Sequence, residues 1–139
     1  MTATTRGRLL LAVRPQDRPL ATAALGEEFD VAIAYTYNEA EAILREGVLM
    51  VVCGAHFDDG RMFDLLRLVK GDPALAKIPF IPVLGKLPAN SPAMARSIRN
   101  ATTALGADGF LDLSRMSARM GQQQMLDKLR QMAREALPH

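Results

Sequence analysis

Short apolar runs recur along this chain at regular intervals, and their length and texture fix what it can fold into. They occupy residues 9–13, 31–35, 48–53, 78–84 and 109–113. All but the last, which carries Asp112, are apolar at consecutive rather than alternate positions, which suits a strand covered on both faces, as in a parallel sheet. Between them lie stretches with helical spacing. Asp17 offers a cap, Pro19 a first turn, Leu20, Ala23 and Ala24 an inner face, and Gly26 a stop. Asn38-Glu39-Ala40-Glu41 predicts an N-cap with a carboxylate three residues on, Ile43 and Leu44 the apolar face, and Gly47 the end. A third helix places Met62, Phe63, Leu65, Leu66 and Val69 inward until Gly71-Asp72-Pro73 breaks it. Ser91-Pro92 predicts a fourth start, with Met94, Ile98, Ala101 and Leu105 as its stripe up to Gly106. The last helix is expected over about 116–137, with an interruption at Gly121.

Strand and helix in alternation, joined by short loops, predict an α/β doubly wound, five-stranded parallel sheet of the flavodoxin-like (βα)5 kind. The 139 residues, 49% hydrophobic, suit a single domain over 1–139 with its core at about 8–137. Pro82 falls inside the fourth run, where proline removes a ladder donor, so a local distortion is expected there.

The charge balance excludes little by itself. Seventeen basic residues face 15 acidic ones, a net +2, which is no nucleic-acid signal. The basic excess sits at the C-terminus, where Arg115, Arg119, Lys128, Arg130 and Arg134 face Asp127 and Glu135, the pattern of a solvated helix face. Cys53 is the only cysteine, so no intramolecular disulfide and no cysteine-rich zinc site can form. Residues 1–8 are short and polar, and the apolar run after them is too brief for a signal peptide or a membrane span. A cytoplasmic protein without a membrane partner is expected.

The middle of the chain is more specific than its alternation. Val51-Val52-Cys53-Gly54, then Asp59-Gly60, Phe63-Asp64-Leu65-Leu66-Arg67, Lys70-Gly71-Asp72-Pro73 and Ile78-Pro79-Phe80-Ile81 resembles response-regulator receiver domains from their third strand to their fourth. Ala104-Leu105-Gly106-Ala107-Asp108-Gly109-Phe110-Leu111 is similar to the family's segment entering the fifth strand. The resemblance spans roughly 8–137 and implies strand order 2-1-3-4-5, a two-component signalling role and an output or dimer face on the fourth and fifth helices and the fifth strand.

Receiver chemistry needs an acidic pair after the first strand for Mg²⁺, an Asp ending the third strand as phosphoacceptor, a hydroxyl ending the fourth and a Lys ending the fifth. Hard oxygen ligands suit Mg²⁺, a carboxylate is the nucleophile, and ammonium and hydroxyl groups bind phosphoryl oxygens. Here the acidic pair falls on Val13 and Arg14, the phosphoacceptor on Gly54 or Cys53, the hydroxyl on Leu84 and the Lys on Leu113. Slipping each segment by one residue does not restore the set. The resemblance thus implies the fold of a receiver without its phosphorylation chemistry, a pseudo-receiver.

Other candidates are thin. His56, Asp58 and Asp59 would give a metal three ligands in one loop without a fourth, and capping of the following helix by Asp58 or Asp59 is the plainer expectation. Cys53 lacks an activating base and reads as a small apolar residue. Arg14 and Lys86 flank the crevice and suit an anion. On the last helix Met125, Leu129, Met132 and Ala136 recur at helical spacing, and Leu126, Ala133 and Leu137 widen the stripe. Core packing accounts for most of it, and docking or homodimerisation for the excess. The expected interaction face comprises Met94, Phe110, Met125, Leu129 and Met132. The sequence therefore predicts a non-enzymatic, phosphorylation-independent signalling domain without cofactor or resident metal, whose partners are signalling proteins encoded elsewhere. The alternative is a small-ligand, anion or metal sensor using Arg14, Gly54, His56, Asp58 and Lys86.

Overall fold

The structure, a computed structural model, describes residues 8–26, 29–85, 92–112 and 122–136. Five strands form one parallel sheet: β1 (Leu9–Ala12), β2 (Val31–Ala34), β3 (Met50–Gly54), β4 (Phe80–Leu84) and β5 (Leu111–Asp112). Its order is β2-β1-β3-β4-β5, as expected. Five α-helices lie among the described residues: α1 (Arg18–Leu25), α2 (Tyr37–Glu46), α3 (Met62–Gly71), α4 (Pro92–Ala104) and α5 (Gln122–Ala136).

Alternate strand residues enter two separate cores. Leu10, Ala12, Ala34, Val51, Cys53, Phe80 and Leu84 pack with α2, α3 and α4, which contribute Leu44, Leu65, Leu66, Val69 and Ile98. Leu9, Leu11, Val31, Ile33, Met50, Val52, Ile81 and Leu111 pack on the other face with Leu25 of α1 and Met132 and Ala133 of α5. Two buried faces demand apolar side chains at every position, which is why the strands read as continuous runs.

Several local expectations are corrected. The strands starting at Val48, Ile78 and Gly109 begin two residues later, and the one ending at Tyr35 stops at Ala34. The N-cap of α2 is Thr36, not Asn38: Thr36 Oγ1 accepts from the Glu39 N–H (3.2 Å), and Glu39 Oε1 accepts from the N–H groups of Tyr35 (2.8 Å) and Thr36 (3.2 Å). Asp17 occupies the N-cap position of α1, but its carboxylate turns to Arg14 and caps nothing. On α4 the fully buried residue is Thr102, not Ala101, and its hydroxyl is satisfied by the Arg99 carbonyl at 3.0 Å. The expected start at Ser91, the interruption at Gly121 and Leu137 lie outside the described residues.

Pro82 does not distort the β3–β4 ladder, which runs through Cys53↔Pro82 without an inserted residue. The Val51 N–H reaches the Pro79 carbonyl (2.9 Å) and the Ala55 N–H reaches that of Val83 (2.8 Å), so the odd-numbered residues of β4 bond to β3. Pro82 therefore turns its missing donor towards β5. There pairing starts only at Val83↔Leu111 and continues to Leu84↔Asp112. Ahead of Leu111 a side chain does the bonding. The Asp108 carboxylate accepts from the Phe80 N–H (2.8 Å) and from Lys70 Nζ (2.7 Å), while the Asp108 N–H donates to the Phe80 carbonyl (2.9 Å). Lys70 Nζ also donates to the carbonyls of Ala76 (3.1 Å) and Ile78 (3.0 Å), so all three of its protons are used.

Asp108→Ala leaves a largely buried ammonium without its anion and the Phe80 N–H without an acceptor. It is expected to lower unfolding stability by about 1–3 kcal/mol. In urea this appears as a lower midpoint at unchanged slope. Asp64→Ala, which breaks only exposed pairs to Arg61 and Arg67, is expected to shift stability by less than about 0.5 kcal/mol.

Candidate functional site

In a sheet of this order the chain leaves β1 and β3 in opposite directions, and the crevice at their C-terminal ends is where such folds bind ligands. Val13, Gly54 and Leu84 stand there on neighbouring strands. Val13 continues the β1 ladder by donating to the Ala34 carbonyl at 3.1 Å, and its side chain is buried. Gly54 pairs with Val83, and Leu84 is fully buried. A Cβ built on Gly54 would lie 3.9 Å from its nearest neighbour, the Ala12 carbonyl oxygen, so no crowding demands glycine here. Cys53, one residue back, is fully buried beside Ala12, and that burial pushes its thiol well above the usual range. A thiol held neutral is a poor nucleophile.

Among the described residues of the crevice, Arg14 and Asp58 each have an internal partner. Arg14 donates from Nε (2.8 Å) and Nη2 (3.3 Å) to the two carboxylate oxygens of Asp17, whose hydrogen bonds raise the guanidinium pKa further. Asp58 does not cap α3. Its carboxylate accepts from the Tyr37 N–H at 2.8 Å and so caps the first turn of α2 across the crevice. The Arg61 guanidinium lies 4.3 Å over the Tyr37 ring, and Arg18 donates to the Tyr35 hydroxyl at 3.0 Å. Asp59 is exposed and caps no helix. The backbone that aims Asp58 backwards is left-handed at three successive residues: Asp58 at φ 45°, Asp59 at 56° and Gly60 at 92°. Buried Phe57 and the bond from Arg61 N–H to the Phe57 carbonyl (2.8 Å) hold the loop in place. The sequence held one clue to this reversal, because Asp and Gly are among the residues that tolerate such a backbone.

The strand ends do not suit Mg²⁺, which requires oxygen ligands. Val13 and Leu84 offer hydrocarbon, Gly54 nothing, and Arg14 a cation. His56 is half-buried in the same loop, yet among the described residues no three His, Cys, Asp or Glu side chains converge as a metal site would need. Lys86 and Leu113 lie outside the described residues.

By sequence the chain matches no protein-family model and no curated protein. By structure it matches several solved proteins. A phosphorylated cyanobacterial phytochrome response regulator, RcpA, superposes with a TM-score of 0.66 at 17% identity, over 91% of this chain and 90% of that one. A CheY-like response regulator receiver domain protein from Methanospirillum hungatei gives 0.63 at 17%, over 93% and 94%. A signal receiver domain of a two-component histidine kinase from Clostridium thermocellum gives 0.65 at 12%, over 92% and 98%. The fold is that of a receiver domain. Identity this low carries the receiver architecture and leaves the chemistry of each member to its own side chains.

On this receiver fold the residues expected to form an interaction face divide. Met94 is the large apolar side chain most exposed among the described residues, at 52%. Phe110 is half-buried, with the Arg99 guanidinium 5.4 Å over its ring. The α4 residues turned to the core are Ala95, Ile98 and Thr102. At helical spacing Met94 falls on one flank of that stripe and Arg99, with Phe110, on the other. Met132 faces its own sheet, where its Cε would lie 3.4 Å from a Cβ on Gly109. The side chains of Met125 and Leu129 lie outside the described set.

Asp58→Ala removes the cap of α2 and keeps the left-handed backbone, and is expected to cost about 1–2 kcal/mol in chemical denaturation. Asp59→Gly relaxes a residue at positive φ and is expected to change stability by less than about 0.5 kcal/mol. Equal losses in the two variants would show that the Asp58–Tyr37 bond carries no weight. Native Cys53 should resist iodoacetamide at pH 8 and react promptly once urea unfolds the chain. The stability contributed by its burial is present below the ordinary thiol range and is lost as pH rises through it.

Proposed function

We propose that this chain is a receiver-like signalling domain that works without phosphorylation, by binding other proteins through the surface of α4, β5 and α5. The observation that carries the reading is the contrast at the strand ends. The receiver fold surrounds a crevice whose floor, among the described residues, consists of Val13, Cys53, Gly54 and Leu84, with no carboxylate to accept a phosphoryl group or ligate Mg²⁺. A scaffold kept intact around such a floor retains its outer surfaces as the means of contact. Homodimerisation through the same surface is one form of that contact, and neither nucleic acid nor membrane is required. No helix among the described residues is long and apolar enough to cross a membrane. Two polar groups of the sensor reading already have internal partners, since Arg14 is held by Asp17 and Asp58 by the Tyr37 N–H.

Incubation with acetyl phosphate and Mg²⁺ followed by intact-mass measurement is expected to give no phosphoryl adduct. A stoichiometric adduct would overturn the proposal. Gly54→Asp supplies the missing carboxylate where space exists and should fold normally, yet stay unmodified under the same conditions. With Val13 and Arg14 in the places of the acidic pair, no Mg²⁺ is held to neutralise the incoming phosphate.

A further inference from the structure

Among the described residues the arginines have partners except on one flank of α4. Arg8, Arg14, Arg45, Arg61, Arg67 and Arg130 each reach a carboxylate at 3.4 Å or less. Arg18 donates to the Tyr35 hydroxyl. Among the described residues Arg96 and Arg99 have no carboxylate partner, and both side chains are exposed. No acidic residue occurs from 92 to 107, and the first one after, Asp108, is occupied by Lys70 and the Phe80 N–H.

Arg96 and Arg99 are three residues apart and so share one side of the helix. The Arg99 guanidinium carbon lies 5.4 Å from the centre of the Phe110 ring, within cation–π reach. A planar guanidinium beside an aromatic ring is suited to two-pronged binding of a carboxylate. Exposed arginine and aromatic side chains are also those most often found at the energetic centre of protein interfaces.

We infer that the α4–β5 flank, with Arg99 on Phe110 as anchor and Arg96 beside it, docks an acidic segment of a partner protein whose carboxylates are spaced about one helical turn apart. The inference rests on the reading of this surface as the contact face and adds the chemistry of what it contacts. Charge complementarity selects the occupant. A second copy of this chain would bring the same unpaired cations to the contact if the two flanks met face to face, whereas a carboxylate-bearing segment neutralises them.

The test uses a fluorescein-labelled helical peptide with Glu at i and i+3, its Gln counterpart, and a short DNA duplex, each titrated by anisotropy against the full chain. The Glu peptide should bind saturably and more weakly as salt rises, and the Gln peptide should not. Arg96→Ala with Arg99→Ala should weaken the Glu peptide about tenfold or more, the scale of losing an interface arginine. Arg67→Ala on α3 should leave binding unchanged. Equal losses from the α3 and α4 variants would reduce the effect to diffuse charge and overturn the inference, as would tighter binding of the duplex or no saturable binding of the Glu peptide. A phosphoryl adduct on the same samples would instead overturn the phosphorylation-independent reading and leave the arginine result standing.

Discussion

The constraint on which the rest of this molecule depends is burial of the central strands on both faces, continued to their very ends. β1, β3 and β4 each send alternate side chains into two different helical layers, so every position must be apolar or very small. In this chain the requirement does not relax where the strands meet the crevice. Val13 and Leu84 are as enclosed as the residues before them, and the end of β3 has a buried thiol and a glycine. A charge in place of Cys53 or Leu84 would be buried in the core that holds Ala12, Ala55 and Phe57, a costly step without partners to receive it, whereas half-buried Gly54 has room around it.

Above that apolar floor, the loop after β3 is tied to the start of α2. Asp58 reaches from the loop after β3 to the first turn of α2, and Arg61 lies over the ring of the same residue whose N–H Asp58 caps. Thr36 and Glu39 complete the capping of α2. Two aspartates are held in a backbone conformation that asymmetric residues adopt reluctantly. The geometry persists because the buried Phe57 ring and the cap on α2 together determine the path of the loop. The loops that in a catalytic sheet would move around a ligand are here used to fasten one helix to the next.

Strand existence and the inward faces of α2 and α3 were legible in the sequence, because each follows from runs and spacings that local physics controls, whereas the strand order was legible only through the resemblance to receiver domains. What the sequence did not disclose depends on pairs brought together from a distance. Asn38 and Thr36 are both good caps, and only the three-dimensional path of the chain chooses Thr36. Asp58 sits just before α3 yet serves α2, a choice made by the left-handed turn. Pro82 looked disruptive because a sequence does not say which neighbour each N–H faces, and in β4 the missing donor falls towards β5, ahead of the first pair, Val83↔Leu111. Lys70 and Asp108 were visible only as parts of a family resemblance, while their ion pair joins segments 38 residues apart. At the crevice the sequence identified which residue types stand at the strand ends, but not that Arg14 would be claimed by Asp17.

The clasp formed by Lys70, Asp108 and the Phe80 N–H has a consequence for how the molecule breathes. It joins the last turn of α3, the start of β4 and the segment leading into β5, so the Phe80 amide cannot open to water without separating an ion pair. That proton should therefore exchange with the slow amides of β3, although its acceptor is a side chain and not a strand, which makes the clasp part of the most protected unit of the molecule.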